Sequence, residues 1–169
     1  FSGCLALSRA DLSDDLVVLG PYAFENCTSL PSIDLPDNGK LSIGAGAFLC
    51  CRSIESIVIP DNIITLEKDL FVNCEKLRSI TVPDGITSIG DYAFYGCSAL
   101  SAFKFPADLK TIGEYSFNSC YSLKSIDLPN KLTAIGQNAF AGCEGLTSVT
   151  LPDSVTDLGT GVFECCYNL

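Results

Sequence analysis

Phe94-Tyr-Gly-Cys97-Ser-Ala-Leu100-Ser-Ala-Phe103-Lys-Phe105-Pro106, followed by Leu109-Lys-Thr-Ile112-Gly113-Glu-Tyr-Ser-Phe117, is one turn of a pattern that fills the chain. Its opening Phe recurs at Phe1, Phe24, Phe48, Phe71, Phe94, Phe117, Phe140 and Phe163, every 23 residues except for one interval of 24. A Cys follows each Phe by three positions, from Cys4 to Cys166. A Pro follows by twelve, from Pro36 to Pro152, and a Gly preceded by Ile or Leu closes most units. Four ladders in phase mark a solenoid, in which each unit buries its apolar face only against its neighbours.

Within a unit, Phe-x-x-Cys-x-x-Leu places apolar groups three apart, which fits a short 3₁₀ or single-turn helix. The next segment, Leu-x-x-Ile-x-Leu, changes to period two and reads as a strand. Pro stops that strand, and Pro-Asp, as at Pro83-Asp84, turns the chain. A second apolar pair, such as Ile86 and Ile89, carries it back to the Gly. The coil starting at Phe24 holds the extra residue, so a bulge is expected over residues 37–40. In the next coil Glu67 stands where the others have Gly, so its turn is expected to differ. The chain opens and closes in mid-unit without visible polar caps, so we expect residues 1–169 to form a single array cut from a longer one.

The unit resembles the BspA-like leucine-rich repeat, Ala-Phe-x-x-Cys-x-x-Leu-x-x-Ile-x-Leu-Pro and then Ile-Gly. Ala93-Phe94, Cys97, Leu100, Pro106 and Ile112-Gly113 carry the match in one coil. Ala139-Phe140, Cys143, Leu146, Val149, Leu151, Pro152 and Leu158-Gly159 carry it in another. The resemblance implies a curved stack of about seven coils, with a parallel β-sheet on the concave face and short 3₁₀ or helical turns. It also implies a cell-surface or secreted protein that adheres to other cells or to host proteins, with extracellular-matrix and cell-surface proteins as the ligand class.

Composition bounds the chemistry. Of 169 residues none is His, which removes the commonest general base and metal ligand and excludes an imidazole triad within the chain. A formal charge of −10 argues against a nucleic-acid partner. No apolar run is long enough for a membrane span. Asp34 and Asp127 share a ladder position but lie four coils apart, roughly 19 Å at strand spacing. A glycosidase pair needs at most about 9.5 Å. We expect no catalysis, no cofactor and no metal.

Ten cysteines suggest a disulfide framework or a metal site. Eight of them, however, stack at one position of the coil, where parallel side chains poorly match disulfide geometry. Free Cys packs as a small buried hydrophobe, and that is the expected state of the ladder. Cys50 and Cys165 stand off the ladder, five units apart, and are expected to be incidental surface or half-buried thiols. Asn26-Cys27-Thr28 matches a glycosylation acceptor, which we read as a chance match.

The strand's outward positions are one, two and four after the repeat Leu. The middle one is almost always Ser; the others vary. Asp34, Glu55, Val58, Arg78, Thr81, Lys104, Lys124, Asp127 and Thr150 are therefore the candidate binding residues. Variation on a fixed scaffold suits recognition, and an unselected solvated face would show it as well. Tyr92, Tyr95, Tyr115, Tyr121 and Tyr167 fall at the corner of the coil, where they could stack on a partner or sugar or simply cover the edge. The expected function is a non-catalytic protein-binding scaffold. An intracellular adaptor repeat and a passive spacer are the alternatives.

Overall fold

A computed structural model describes residues 1–169. Nine short strands are all paired in parallel: β1 Val18–Leu19, β2 Ser42–Ile43, β3 Ser56–Val58, β4 Thr65–Leu66, β5 Ser79–Thr81, β6 Ser88–Ile89, β7 Thr111–Ile112, β8 Ala134–Ile135 and β9 Asp157–Leu158. Register follows the period, as in Ser56 opposite Ser79 and Thr111 opposite Ala134. The chain is a β-solenoid of leucine-rich repeats.

The Leu-x-x-Ile-x-Leu segment forms the expected strand, with regular pairing at β3 and β5. Elsewhere its coils are joined by single bonds, such as Glu55 N–H to Pro31 O and Lys124 N–H to Ser101 O. A second parallel ladder, β4-β6-β7-β8-β9, runs along the segment before the Gly. The period-two reading did not anticipate it, because each of its strands has only two residues.

The corner around Phe carries the most regular bonding. The amides of Tyr22, Phe24 and Asn26 donate to the carbonyls of Ala45, Ala47 and Leu49 in the next coil. The same triplet repeats up to Asn138, Phe140 and Gly142, which donate to Thr160, Val162 and Glu164. Inside each coil, Cys N–H donates to Phe O and Leu N–H to Cys O, as in Cys97 to Phe94 and Leu100 to Cys97. These three-residue closures are the expected 3₁₀-type turns. They do not grow into helices, because the residues two before and two after each Phe take left-handed φ, such as Tyr92 at 57° and Asn73 at 55°.

The core is a column of stacked rings. Phe24, Phe48, Phe71, Phe94, Phe117 and Phe140 are fully buried. Consecutive rings lie 5.0–5.9 Å apart, with planes within 17° of parallel. That offset stacking is a favourable aromatic geometry. In the coil starting at Phe94, Phe103 and Phe105 replace Ile and Leu and meet the column edge-on, Phe103 at 5.2 Å from Phe94 and 5.0 Å from Phe117.

Both departures noted in the sequence fall at one interface. The extra residue is absorbed at Asn38 and Gly39, where φ of Gly39 is +70°. Asn38 Nδ2 donates to the carbonyls of Asp14 and Leu16, and its Oδ1 accepts from Lys40 N–H at 2.8 Å. At the usual Gly, a Cβ would sit 2.6 Å from a backbone nitrogen of the preceding coil, as at Gly90 against Lys68. Glu67 cannot make that approach. Accordingly β2, which pairs with β1, and β4, which pairs with β6, do not pair with each other, and the ladder stops between them. A hollow of about 240 Å³ opens there, and Asn62 Nδ2 reaches the Leu41 carbonyl in place of a strand bond.

Candidate functional site

The strand face is built by alternation. Ile33, Ile57, Phe103 and Ile126 point inward and are buried. Asp34, Glu55, Val58, Arg78, Thr81, Lys104, Lys124, Asp127 and Thr150 all project outward and are exposed. The period thus collects all nine on one face. Val58 and Thr81 sit in register, and Val58 is 64% exposed, an apolar point on an otherwise polar surface.

Charge on this face is zoned. Asp34 and Glu55 lie on the second and third coils. Arg78, Lys104 and Lys124 follow on three successive coils, the last of which also carries Asp127. Lys104 Nζ pairs with Asp84 Oδ1 at 3.2 Å, with both groups exposed. Arg78 and Lys124 make no ion pair. An exposed pair contributes little, so all three cations stay available to a partner.

The cysteines form a different arrangement. All ten are free thiols. Each ladder Sγ from Cys27 to Cys166 lies 3.0–3.3 Å from the Phe carbonyl of the coil before it. The thiol therefore joins coils as a hydrogen-bond donor. Burial pushes the thiols of Cys74, Cys97 and Cys120 well above their ordinary value and those of Cys51 and Cys143 to about 12. Such thiols are inert as nucleophiles. Cys4 shares the register but is exposed. Cys50 and Cys165 belong to a ladder of their own. They occupy the left-handed position at φ 58° and 56°, in line with Asn26, Asn73, Gly96, Ser119 and Gly142. No hydrophobic period reports that ladder, because backbone conformation defines it.

The tyrosines sit at the corner, as their spacing implied. Tyr92 and Tyr115 stack at 5.0 Å with planes 5° apart. Burial raises the Tyr92 phenol first; Tyr115 and the carboxylates of Glu114, Asp91 and Asp69 raise it further. No group of three or more His, Cys, Asp or Glu side chains is arranged to hold a metal ion, and no helix is long and apolar enough to cross a membrane. What this geometry offers is extended surface made of repeated positions.

The repeat agrees with known proteins. The family model described as BspA type leucine-rich repeat region matches in six copies over residues 1–74 and 41–169. A leucine-rich repeat protein of T. pallidum is 30% identical, with a TM-score of 0.66, over 82% of this chain and 78% of its own. A leucine-rich cell surface protein of Faecalibacterium prausnitzii is 27% identical with a TM-score of 0.70, over 96% of this chain and 53% of its own. A leucine-rich repeat protein of Eubacterium ventriosum is 26% identical with a TM-score of 0.72, over 86% and 39%. No curated protein matches the chain.

Proposed function

The chain belongs to the BspA-type leucine-rich repeat family, and from that premise we propose that it is a non-catalytic module that binds a protein partner outside the cell through its strand face. Leucine-rich repeats commonly serve protein–protein interaction, and the fold by itself does not assign the partner. One observation carries the choice of face. Arg78, Lys104 and Lys124 stand exposed on consecutive coils of a chain whose net charge is −10, next to the coils that carry Asp34 and Glu55, with Asp127 on the same coil as Lys124. Zoned charge of this kind steers a complementary partner and fixes its register.

An extracellular setting is supported by the cell surface protein of F. prausnitzii among the similar structures. Ten unpaired thiols are unusual in that setting, and the burial of seven of them away from oxidants softens the conflict. The ligand class we propose is an extracellular-matrix or cell-surface protein with an acidic patch opposite the three cations.

The test is the triple variant R78E/K104E/K124E against immobilised extracellular-matrix proteins. We expect at least a tenfold loss of affinity for any that the parent chain binds, with unchanged thermal unfolding. Parent-like binding by the triple variant to every such protein would remove the strand face from the interaction.

A further inference from the structure

Two contiguous hollows lie on the corner of the solenoid, away from the strand face. One of about 320 Å³ is lined by Asn73, Glu75, Tyr95 and Gly96 among others. The next, of about 310 Å³, includes Asn138, Glu144, Glu164 and Tyr167. Ser119 and Tyr121 border both, so the two make one trough spanning residues 73–167. Its floor is the left-handed ladder, where Gly96, Ser119 and Gly142 have small or absent side chains and leave the space open. Its walls carry tyrosine rings: Tyr121 is 49% and Tyr167 76% exposed.

We infer that this trough binds a Lys- or Arg-bearing segment of a partner protein, with the cationic heads over the faces of Tyr121 and Tyr167 and against Glu144 and Glu164. Charge selects this occupant. None of the ten Lys and Arg residues lines either hollow. Glu144 and Glu164 take part in no ion pair, whereas Glu75 is held by Arg52 at 2.7 Å. Cys165 first, then desolvation, then the carboxylates of Glu144 and Glu164 raise the Tyr167 phenol, which places both carboxylates beside that ring. Aromatic faces attract cations, and more strongly where carboxylates stand beside them. The strand-face cations Arg78, Lys104 and Lys124 belong to the coils starting at Phe71, Phe94 and Phe117, whereas Glu144 and Glu164 belong to the next two coils.

The probe is hexa-arginine, with the neutral isostere hexa-citrulline as its control. The chain has no Trp, so tyrosine emission reports binding directly, and the amide shifts of Gly96 and Gly142 locate it. We expect hexa-arginine to bind and hexa-citrulline not to. Y121A/Y167A should weaken binding at least tenfold, Y121F/Y167F should bind within twofold of the parent, and E144Q/E164Q should weaken it at least threefold. D37N/D61N, which removes the same charge at exposed turns, should leave it within twofold. Four results would overturn the inference: equal binding of hexa-citrulline; equal weakening by D37N/D61N and E144Q/E164Q; displacement of the peptide by cellohexaose; or self-association of the chain in sedimentation that E144Q/E164Q abolishes. Tyr121 and Tyr167 are exposed, so their variants are expected to unfold at the parent's temperature, and a shift map centred on the strand face would count against the trough whatever the affinities.

Discussion

The Cys97 thiol donates to the Phe71 carbonyl of the preceding coil, 3.1 Å away, while that carbonyl also accepts the Cys74 amide within its own coil. One residue type thus closes each coil through its amide and ties it to the previous coil through its side chain. Cys97→Ala removes the second tie and leaves a small void in a fully buried column. The Phe71 carbonyl keeps one partner, so the loss stays moderate, at roughly 1–3 kcal/mol. Phe94→Ala removes the ring from the same column and should lose about 3–5 kcal/mol. Urea unfolding measures both, and a loss below about 0.5 kcal/mol for Cys97→Ala would sink the tie.

Alkaline pH should weaken the fold through the same ladder. The folded pKa values of Cys51 and Cys143 are raised to about 12 from an ordinary 9.0. A group whose folded pKa is raised keeps its proton longer in the folded state. Its contribution is complete below pH 9 and is lost as pH rises towards 12. Stability from denaturant titration should therefore be flat in this respect up to about pH 9 and fall above it. In the same range Cys4 and Cys165 should react with a thiol reagent in the native state, and the seven buried ladder thiols only on unfolding. A native count near ten would show that the ladder is open.

The close approach at the Gly corner gives a reciprocal test. Gly90 N–H donates to Leu66 O at 2.7 Å, and a Cβ at Gly90 would fall 2.6 Å from Lys68 N. Gly90→Glu should open the β4–β6 pairing as Glu67 does one coil earlier. The expected loss is about 2–4 kcal/mol, with faster amide exchange at position 90. Glu67→Gly should do the reverse, slowing exchange of the amide at position 67 as β4 closes on β2. If deletion of Gly39 slows that exchange and Glu67→Gly does not, the 24-residue coil holds the gap open, and the side chain at 67 does not.

The period made the coil, the Phe column and the buried thiols legible, because each is one hydrophobic position counted repeatedly. It also placed the nine strand-face residues on one surface, since alternation about Ile57 or Ile126 leaves no other direction. Three features escaped it. The second ladder escaped because two-residue strands such as β7 show no alternation. The left-handed corner escaped because Tyr22, Gly46, Asp69 and Asn138 share a φ and no side-chain property. The gap at β2 and β4 was visible as two separate irregularities, and only the coil-to-coil distance at Gly90 shows how one of them opens it.

Cys50 offers the sharpest check on the corner. It holds φ at 58°, its Sγ is 3.9 Å from Asn73 Nδ2, and the equivalent position in neighbouring coils is Asn26, Asn73 or Gly96. A left-handed L-residue costs roughly 1–2 kcal/mol, while glycine there adds about 0.5–1 kcal/mol of unfolded-chain entropy to lose. Cys50→Gly should therefore be neutral or raise stability by up to about 1 kcal/mol, and Cys50→Asn should match the parent. Cys50→Val, β-branched and poorly suited to positive φ, should lower stability by more than 1 kcal/mol. Urea midpoints of the three variants decide the matter: a clear loss in Cys50→Gly would mean that the thiol, and not the backbone conformation, is what this position requires.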